Sequence, residues 1–343
     1  MTGHGGRAGR HGVRQPIGCA GIRRARRRYR RWGARKIREH LRRNFPRQKI
    51  PAARTITRWL QRWKLTRRRQ QRRSPGGPRI RRGGLTEPRR SNHVWTVDFK
   101  GWFRTADRQR IEPLTVRDLF SRYILAIRLL PDQQWWRIRA VFMGLLRRHG
   151  IPRVIRADNG FGSKGPAGLS RLSAWWTALG IKVEFIAPGH PEQNGGHEQM
   201  HREFKADLTK PASIHPPAQR RRTYRWVQAY NWERPHQALG QRTPGECYRP
   251  PRSVNNRLGK PLRYPARWSV RRVRSNGQIR WQGRLRFIGE AFVGMKVGLP
   301  SKGTRGNKVH LAKVLLGELR SSDAGGLRSA VYIHKRRRTK TKV

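Results

Sequence analysis

The sequence is poor in acidic residues. Only 18 of its 343 residues are Asp or Glu, against 81 Lys or Arg, which gives a formal net charge of +63. This balance argues against an enzyme that binds cationic substrates. A polycation of this size is expected to bind polyanions, of which nucleic acid is the commonest.

Cysteine and long apolar runs are also scarce. Cys19 and Cys247 are too far apart in the chain to indicate a disulfide framework or a cysteine-based zinc site. No stretch approaches 18 consecutive apolar residues, which excludes an obvious transmembrane helix, and residues 1–16 lack the apolar segment of a signal peptide. The length predicts two or three domains, and 35% hydrophobic residues suffice for a core. These features favour a soluble, intracellular protein that binds nucleic acid.

The first third of the chain changes from unpatterned to helical sequence. Residues 1–21 are rich in Gly, Arg and His and are predicted to be a disordered basic N-terminus. Residues 22–66 contain two short apolar stripes at helical spacing and predict a helix-turn-helix DNA-binding segment. The second helix leaves four candidate DNA contacts outside its apolar stripe: Arg54, Thr57, Arg58 and Arg62. A basic helical hairpin that contacts phosphates without reading bases is an equally good interpretation.

Residues 67–90 are predicted to be a basic linker, after which the composition becomes that of a folded α/β domain over residues 91–250. Apolar patterning predicts strands at 93–99, 111–117, 123–130, 154–155 and 183–186, and helices at 135–148, 169–179, 193–208 and 218–232. This order predicts a mixed sheet with helices packed against it.

Residues 251–320 are predicted to be a small β-barrel domain, because short alternating segments follow one another. Asn276-Gly277, between segments 270–273 and 279–281, predicts a β-hairpin. Residues 321–343 are predicted to be a basic tail.

Three of the rare carboxylates occupy positions that suggest metal binding. Asp98 and Asp158 each follow an apolar strand, and Glu198 lies on a helix that follows a Gly-rich turn. A single Asp before Asn-Gly is usually a turn former. Two carboxylates at the ends of neighbouring strands, however, are unfavourable unless cations neutralise them. Three carboxylates can hold two Mg²⁺ ions, which catalyse phosphoryl displacement.

The segments around these acids are similar to a known family. Residues 97–101 (VDFKG), 156–160 (RADNG) and 188–202 (PGHPEQNGGHEQMHR) resemble the integrase catalytic core of bacterial insertion-sequence transposases, the DDE group related to retroviral integrases. The similarity continues through residues 169–176, 230–240 and 270–279 and covers roughly residues 30–320.

The resemblance implies a ribonuclease-H-like core in which Asp98, Asp158 and Glu198 bind two Mg²⁺ or Mn²⁺ ions. It implies cleavage of DNA at transposon ends and strand transfer into target DNA. Two ends must join one target, so a homo-oligomer, at least a dimer, is expected. The expected location is the cytoplasm, associated with the bacterial nucleoid.

Five residues close to the triad in sequence are further candidate DNA contacts: Lys100, Asn159, Asn194, His201 and Lys205. Turn formation is an equally good interpretation of the two Asn residues. Members of the family usually carry another helix-turn-helix ahead of residue 32, for which residues 1–21 are too short and too unpatterned. We therefore expect an N-terminally shortened or decayed copy.

Two other functions compete with the transposase interpretation. Residues 197–201 (HEQMH) match the HExxH pattern of zinc metalloproteases, in which both His bind zinc. The pattern is short, and a charge of +63 has no use in a protease. A surface role for His197 and His201 on a DNA-facing helix is preferred. The second alternative, a catalytically decayed transposase relative that only binds DNA, leaves the three carboxylates unexplained.

Overall fold

The structure is a computed structural model that describes residues 18–66, 84–163, 165–186, 195–251, 258, 262–300, 306–322 and 325–330. These residues divide into two compact units. The first contains residues 18–66 together with Ala229–Glu246, and the second contains the remaining described residues. Among the described residues, no helix combines the length and apolar character that crossing a membrane requires.

The first unit contains three N-terminal helices: α1 (Cys19–Arg28), α2 (Ala34–Asn44) and α3 (Ala53–Arg62). Their buried core is formed by Ile22, Ala25, Trp32, Ile37, Leu41, Ile56 and Leu60. The prediction that residues 1–21 are disordered is wrong for its last residues, because α1 begins at Cys19; residues 1–17 lie outside the described residues. Only Ile22 and Ala25 of α1 are buried. Two apolar residues in an Arg-rich segment make too weak a periodic pattern to predict a helix from the sequence.

Residues 229–246 pack in this helical unit, although the sequence placed them in the α/β domain at 91–250. Tyr29 and Arg28 both donate hydrogen bonds to the Glu233 carboxylate. Arg43 pairs with Glu246 at 3.2 Å. These two carboxylates therefore pair with basic side chains of α1 and α2. The segment contains a π-helical turn (Ala229–Glu233), a 3₁₀ turn (Gln237–Leu239) and the start of α8 (Pro244–Cys247).

The second unit is built on a six-stranded mixed sheet. Its strands are β1 (Val94–Phe99), β2 (Phe103–Arg104), β3 (Arg110–Asp118), β4 (Ile124–Leu130), β5 (Val154–Ala157) and β6 (Lys182–Phe185). β1 and β2 pair with one edge of β3 and β4 pairs with the other, all antiparallel. β1, β5 and β6 are parallel. The five longer strands thus run in the order β4-β3-β1-β5-β6, with β3 antiparallel to its neighbours. The predicted α/β class and ribonuclease-H-like topology are confirmed.

The two faces of the sheet carry different helices. α4 (Trp135–His149) and α5 (Arg171–Ala178) pack on the first face, over a core that includes Leu114, Val116, Phe142 and Trp176. Side chains alternate along a strand, so Thr115 and Arg117 of β3 point to the opposite face. There they contact α6 (Gly195–Phe204). α6 continues through a π-helical turn (Lys205–Thr209), which precedes α7 (Pro216–Gln228).

The C-terminal part of this unit is β-structured, as predicted. A five-stranded antiparallel sheet contains β7 (Ser269–Arg272), β10 (Lys296–Leu299), β11 (Asn307–Leu311), β12 (Val314–Leu319) and β13 (Arg328–Ser329). A separate hairpin contains β8 (Gln278–Trp281) and β9 (Arg284–Phe287). The Leu327 amide donates to the Phe287 carbonyl and so joins β9 to the segment before β13.

Two predictions for this region need correction. The turn at Asn276-Gly277 is present, with Gly277 at φ +76°, but β7 pairs with β10 and β8 pairs with β9. The turn therefore joins strands of two sheets and does not form the predicted hairpin. β13 lies in the segment 321–343, predicted to be a tail, because Arg328 and Ser329 extend the edge of β12.

Candidate active site

Asp98 and Asp158 lie next to each other at the carboxyl ends of two parallel strands. β1 and β5 pair in register, with Val97 opposite Ala157, and each Asp is the residue that follows. Asp158 caps the 3₁₀ turn Asn159–Phe161 by accepting a hydrogen bond from the Gly160 amide at 3.0 Å. The strand register therefore brings together two carboxylates that are 60 positions apart in the chain.

Burial and the neighbouring acids change the protonation of Asp98. Burial, followed by repulsion from Asp158 and more weakly from Glu198, raises the pKa of Asp98 to about 7. The Phe99 amide and the Lys100 ammonium oppose that pKa increase. Electrostatically, the three acids form one group in which the nearby Lys100 only partly offsets burial and mutual repulsion at Asp98.

Glu198 approaches this group from the first turn of α6, where its side chain is exposed. No set of three potential metal ligands within the described ranges is close enough to enclose an ion. The donor chemistry nevertheless fits Mg²⁺ or Mn²⁺, because both prefer carboxylate oxygens together with water and phosphate. The negative charge at Asp98 is what a divalent cation would neutralise.

α6 is held against β3 by a close approach of its backbone. Arg117, which is 2% exposed, donates from Nη1 to the Gly196 carbonyl at 2.6 Å. A Cβ atom at Gly196 would overlap the same guanidinium. The glycine therefore allows the first turn of α6 to lie on the strand, and this contact sets the position of Glu198.

Beside Asp98, three buried polar side chains form a hydrogen-bonded cluster, which we call the Thr115 cluster: Thr115, His197 and His201. The Thr115 hydroxyl is 2.8 Å from Nε2 of both imidazoles and 2.9 Å from the Asp98 carbonyl. Burial, with Arg117 nearby, lowers the pKa of His197 well below its usual value. Burial, with Lys100 and Arg117 nearby, lowers the pKa of His201 to about 3.

This burial contradicts the preferred interpretation of both His residues. His197 is 0% exposed and His201 is 7% exposed, so neither lies on a DNA-facing surface, and His201 is not a surface DNA contact. The zinc-protease pattern also fails to match the geometry. Both Nε2 atoms contact the Thr115 hydroxyl, and Glu198 is exposed to solvent while the His pair packs on the sheet.

Lys100 lies near Asp98, and Lys205 lies near Lys100. Burial and the charge of Lys205 lower the pKa of Lys100, while Asp98 opposes that decrease. Lys205 is exposed at the end of α6. The two ammonium groups are therefore close enough to repel each other, an arrangement that a bound phosphate would relieve.

The remaining candidate DNA contacts have different environments. Arg54, Thr57, Arg58 and Arg62 all lie on the exposed side of α3, away from buried Ile56 and Leu60. Residues 45–52 connect α2 to α3, which is longer than the three- or four-residue turn of a compact helix-turn-helix. Asn159 is exposed, but its amide donates to the Ile186 carbonyl at 3.0 Å, which favours its role in forming the loop. Asn194 lies outside the described residues.

The sequence did not single out Thr115, Arg117 or Gly196. Thr and Arg alternate with Leu and Val in β3, a pattern that usually indicates a solvent-exposed strand face. Only the helix packed on that face makes these side chains part of the site. The Gly195-Gly196 pair before Glu198 was the one available signal of a close backbone approach.

Residues 88–191 and 179–244 each match an integrase core domain. The chain is 29% identical over 179 residues to an uncharacterized 31.7 kDa protein of insertion element IS407 from Burkholderia multivorans, covering 52% of this chain and 62% of the relative. It is also 29% identical over 221 residues to an uncharacterized 39.2 kDa protein of insertion element IS476 from Xanthomonas euvesicatoria, covering 64% and 60%. The chain thus spans about three-fifths of the length of these relatives.

Among solved structures, similarities to retroviral proteins were found. The magnesium-bound, trimeric form of the HTLV-2 integrase catalytic core domain matches with a TM-score of 0.35 and 17% identity, covering 48% of this chain and 100% of that chain. A chain of the simian T-cell lymphotropic virus intasome, in complex with a PP2A regulatory subunit, matches with a TM-score of 0.41 and 14% identity, covering 82% and 92%.

Proposed function

We propose that this chain is a DDE-type transposase, because residues 88–191 and 179–244 match an integrase core domain and the chain is similar to proteins of bacterial insertion elements. In this proposal it cleaves DNA at the ends of an insertion sequence and transfers the freed 3′ ends into target DNA. Its partners are transposon-end DNA, target DNA and at least one further copy of the same chain. Its place of action is the bacterial cytoplasm, at the nucleoid.

The observation that carries this proposal is the pair of carboxylates at the ends of β1 and β5. Asp98 and Asp158 are neighbours in the strand register, and the charge of Asp158 raises the pKa of Asp98. A DNA-binding protein gains nothing from such a pair, because carboxylates repel phosphates. Divalent cations at the site would neutralise the pair and give it a function.

Asp98, Asp158 and Glu198 would hold two Mg²⁺ or Mn²⁺ ions. Ions held by these residues would supply the chemistry of an in-line phosphoryl displacement, in which an attacking oxygen is activated and a leaving oxygen is stabilised. Asp98 and Asp158 are fixed by the sheet, so they supply the rigid part of the site. Glu198 is carried by α6, whose first turn is fixed by the bond between Arg117 and Gly196.

The basic side chains of the protein would bind and orient the DNA. Lys100 lies near Asp98 and Lys205 lies near Lys100, so both would be suited to bind phosphates next to the scissile bond. The exposed side of α3 presents Arg54, Arg58 and Arg62 at intervals of one helical turn, together with Thr57. This side would contact duplex DNA, either at base edges or only at phosphates.

The test is a strand-transfer assay with the full chain, Mg²⁺, and DNA that carries the ends of the element flanking the gene. Asp98→Asn, Asp158→Asn and Glu198→Gln should each reduce cleavage and strand transfer by about 100-fold or more, the scale for removing one electrostatic group at a reacting centre. DNA binding should persist, because each change removes a negative charge near the phosphates.

Glu203→Gln and Asp132→Asn are the matched controls, because they make the same chemical changes elsewhere in the second unit. Both should retain wild-type activity. Full activity in any of the three triad variants would refute the assignment. Specific DNA binding without cleavage by the wild-type chain would instead favour the decayed, binding-only relative.

A further inference from the structure

The Thr115 cluster contains a hydroxyl group with three close polar partners. Its oxygen is 2.9 Å from the Asp98 carbonyl oxygen and 2.8 Å from Nε2 of both His197 and His201. A hydroxyl has one proton to donate and two lone pairs that accept. A carbonyl oxygen can only accept, so the Thr115 proton goes to Asp98. Both imidazoles must then donate their Nε2 protons to the Thr115 oxygen.

This assignment fixes the tautomers of the two imidazoles. A neutral imidazole with its proton on Nε2 has an unprotonated Nδ1 that carries a lone pair. Each His therefore directs one Nδ1 lone pair away from Thr115.

The two Nδ1 atoms have different surroundings. Nδ1 of His197 is buried and has no hydrogen-bond partner among the described residues. Nδ1 of His201 lies 3.8 Å from Oδ2 of Asp98. Both atoms carry lone pairs that can bind a divalent cation, and they face each other across this distance. Adjacent ligands of one octahedral ion, with bonds of about 2.0–2.1 Å, are about 2.9 Å apart, so a movement of about 0.9 Å would let one ion contact both atoms.

We propose that His201 is a further ligand of the catalytic centre, binding through Nδ1 the same divalent ion that Asp98 binds. This inference rests on the proposed function, because it assumes an ion at Asp98. The water and substrate phosphate that complete the coordination sphere of such ions explain why two protein ligands suffice at this position.

The hydrogen bond between Nε2 of His201 and the Thr115 hydroxyl supports the role of His201 as a metal ligand. A His that binds a metal through one nitrogen usually donates its other N–H to a fixed acceptor, which sets the tautomer and the ring orientation. Thr115 is such an acceptor, and it is itself fixed to the Asp98 backbone. Asp98 and His201 are therefore oriented through one shared side chain.

A nitrogen ligand predicts a preference among metal ions. Imidazole is a softer ligand than carboxylate, so it contributes more to the binding of Mn²⁺ than to the binding of Mg²⁺. The wild-type chain should bind Mn²⁺ more tightly than Mg²⁺, and loss of Nδ1 should reduce that difference.

The experiment measures Mn²⁺ binding to the full chain without DNA, by electron paramagnetic resonance. The signal of unbound Mn²⁺ gives its free concentration and hence the binding affinity. Electron spin echo envelope modulation detects a ¹⁴N nucleus that is bound directly to the ion. Two substitutions separate the two ring nitrogens. His201→Gln keeps an N–H donor near Thr115 but has no atom at the Nδ1 position. His201→Asn places an amide oxygen near the Nδ1 position but does not reach Thr115.

We expect ¹⁴N modulation in the wild-type complex and its loss in His201→Gln, with Mn²⁺ affinity reduced by about 10-fold or more. His201→Asn should also lose the nitrogen signal but keep more of the affinity, because its oxygen can bind Mn²⁺. His197→Gln is the matched control, since His197 shares the contact with Thr115 but its Nδ1 does not face Asp98. It should retain both the modulation and the affinity.

Absence of ¹⁴N modulation in the wild type, or its persistence in His201→Gln, overturns the proposal. Equal loss of Mn²⁺ affinity in His197→Gln and His201→Gln also overturns it, because a structural contribution to the Thr115 cluster then explains both.

Failure of the proposed function would give a different set of results. In that case Asp98→Asn retains Mn²⁺ binding and strand transfer. If only the His201 inference fails, Asp98→Asn abolishes both while the nitrogen signal is absent throughout.

Discussion

At the residue scale, Gly196 is where α6 lies closest to the sheet. The space in which its side chain would lie is occupied by the Arg117 guanidinium, which is buried and bonded to the Gly196 carbonyl. An added methyl group must therefore displace a buried cation from its hydrogen bond. This constraint comes from tertiary packing, since Gly196 does not have a positive φ.

We predict that Gly196→Ala lowers the free energy of unfolding by about 1–3 kcal/mol, the scale for overpacking a filled interior. Urea denaturation, followed through the unfolding transition of the second unit, measures the change in the free energy of unfolding. Gly195→Ala is the control, because no atom lies within 4 Å of the Cβ position at Gly195. Equal effects of the two substitutions would show that helix propensity, and not the Arg117 contact, determines the outcome.

A second residue-scale prediction concerns Asp98 and pH. Its pKa in the folded protein is about 7, above the model-peptide value of 3.8, so the folded state binds this proton more tightly than the unfolded state. The stabilisation it contributes is complete below about pH 4 and is lost as the pH rises through about 7. Without divalent cations, Asp98→Asn should therefore stabilise the protein at pH 8, by an amount on the order of 2–4 kcal/mol.

Thermal unfolding in EDTA at pH 4.5 and at pH 8 measures this difference. The stabilisation by Asp98→Asn should be small at the lower pH and large at the higher pH. Added Mn²⁺ should stabilise the wild type at pH 8 more than it stabilises the variant. A stabilisation that does not change with pH would contradict the raised pKa of Asp98.

At the scale of elements, α5 connects the mixed sheet to the C-terminal β domain. Trp176 and Leu172 pack in the core of the mixed sheet, whereas Ala174, and Leu169 just before the helix, pack in the core of the β domain. The helix begins with a capping box in which Ser170 and Ser173 exchange side-chain-to-backbone hydrogen bonds. The Ser170 hydroxyl also donates to the Phe161 carbonyl at 2.7 Å, which joins α5 to the loop that follows Asp158.

We predict that Ser170→Ala lowers the free energy of unfolding by about 1 kcal/mol through loss of the cap. It should also weaken Mn²⁺ binding, because the loop after Asp158 loses one of its attachments. Urea denaturation and Mn²⁺ titration measure the two effects. Ser269→Ala, at an exposed position in β7, should change neither. An unchanged Mn²⁺ affinity in Ser170→Ala would show that the loop holds Asp158 without this bond.

The elements with strong local patterns were predictable. β1, β3, β4, α4 and α5 lie where apolar runs or helical spacing indicated them, because each buries a continuous apolar face. α1 was missed because it buries only Ile22 and Ala25. The turn at Asn276-Gly277 was correct, but the pairing of its flanking strands was not, since a turn signal does not state which sheet each strand joins.

At the scale of the whole molecule, the excess of 63 positive charges dominates encounters with DNA. Each phosphate neutralised by Lys or Arg releases condensed counterions, so binding weakens steeply as salt rises. Within this general attraction, α3 presents three Arg residues on one exposed side, without an acidic residue in the helix.

We predict that replacing Arg54, Arg58 and Arg62 together by Gln reduces the slope of log K against log salt by about 2–3, since each lost phosphate contact removes about 0.9. Fluorescence anisotropy with transposon-end duplex and with unrelated duplex measures the slope. Equal weakening on both duplexes indicates phosphate contacts alone, and greater weakening on the transposon end indicates base reading. Arg147→Gln with Arg148→Gln, exposed at the end of α4, is the control for the general loss of charge. If the control variant reduces the slope by as much per charge removed as the α3 variant does, α3 is not a DNA-binding surface.

The sequence by itself determined the α/β class, the attraction to polyanions, and the three rare carboxylates that carry the proposed chemistry. These follow from local properties: apolar periodicity, net charge, and acids placed where strands end. Only the tertiary structure decided that Thr115, Arg117 and both His residues are buried behind Asp98, that residues 229–246 pack with the N-terminal helices, and how the β strands pair. A polar side chain on a strand has the same sequence pattern whether water or a helix covers it, so its environment depends on contacts between segments distant in the chain.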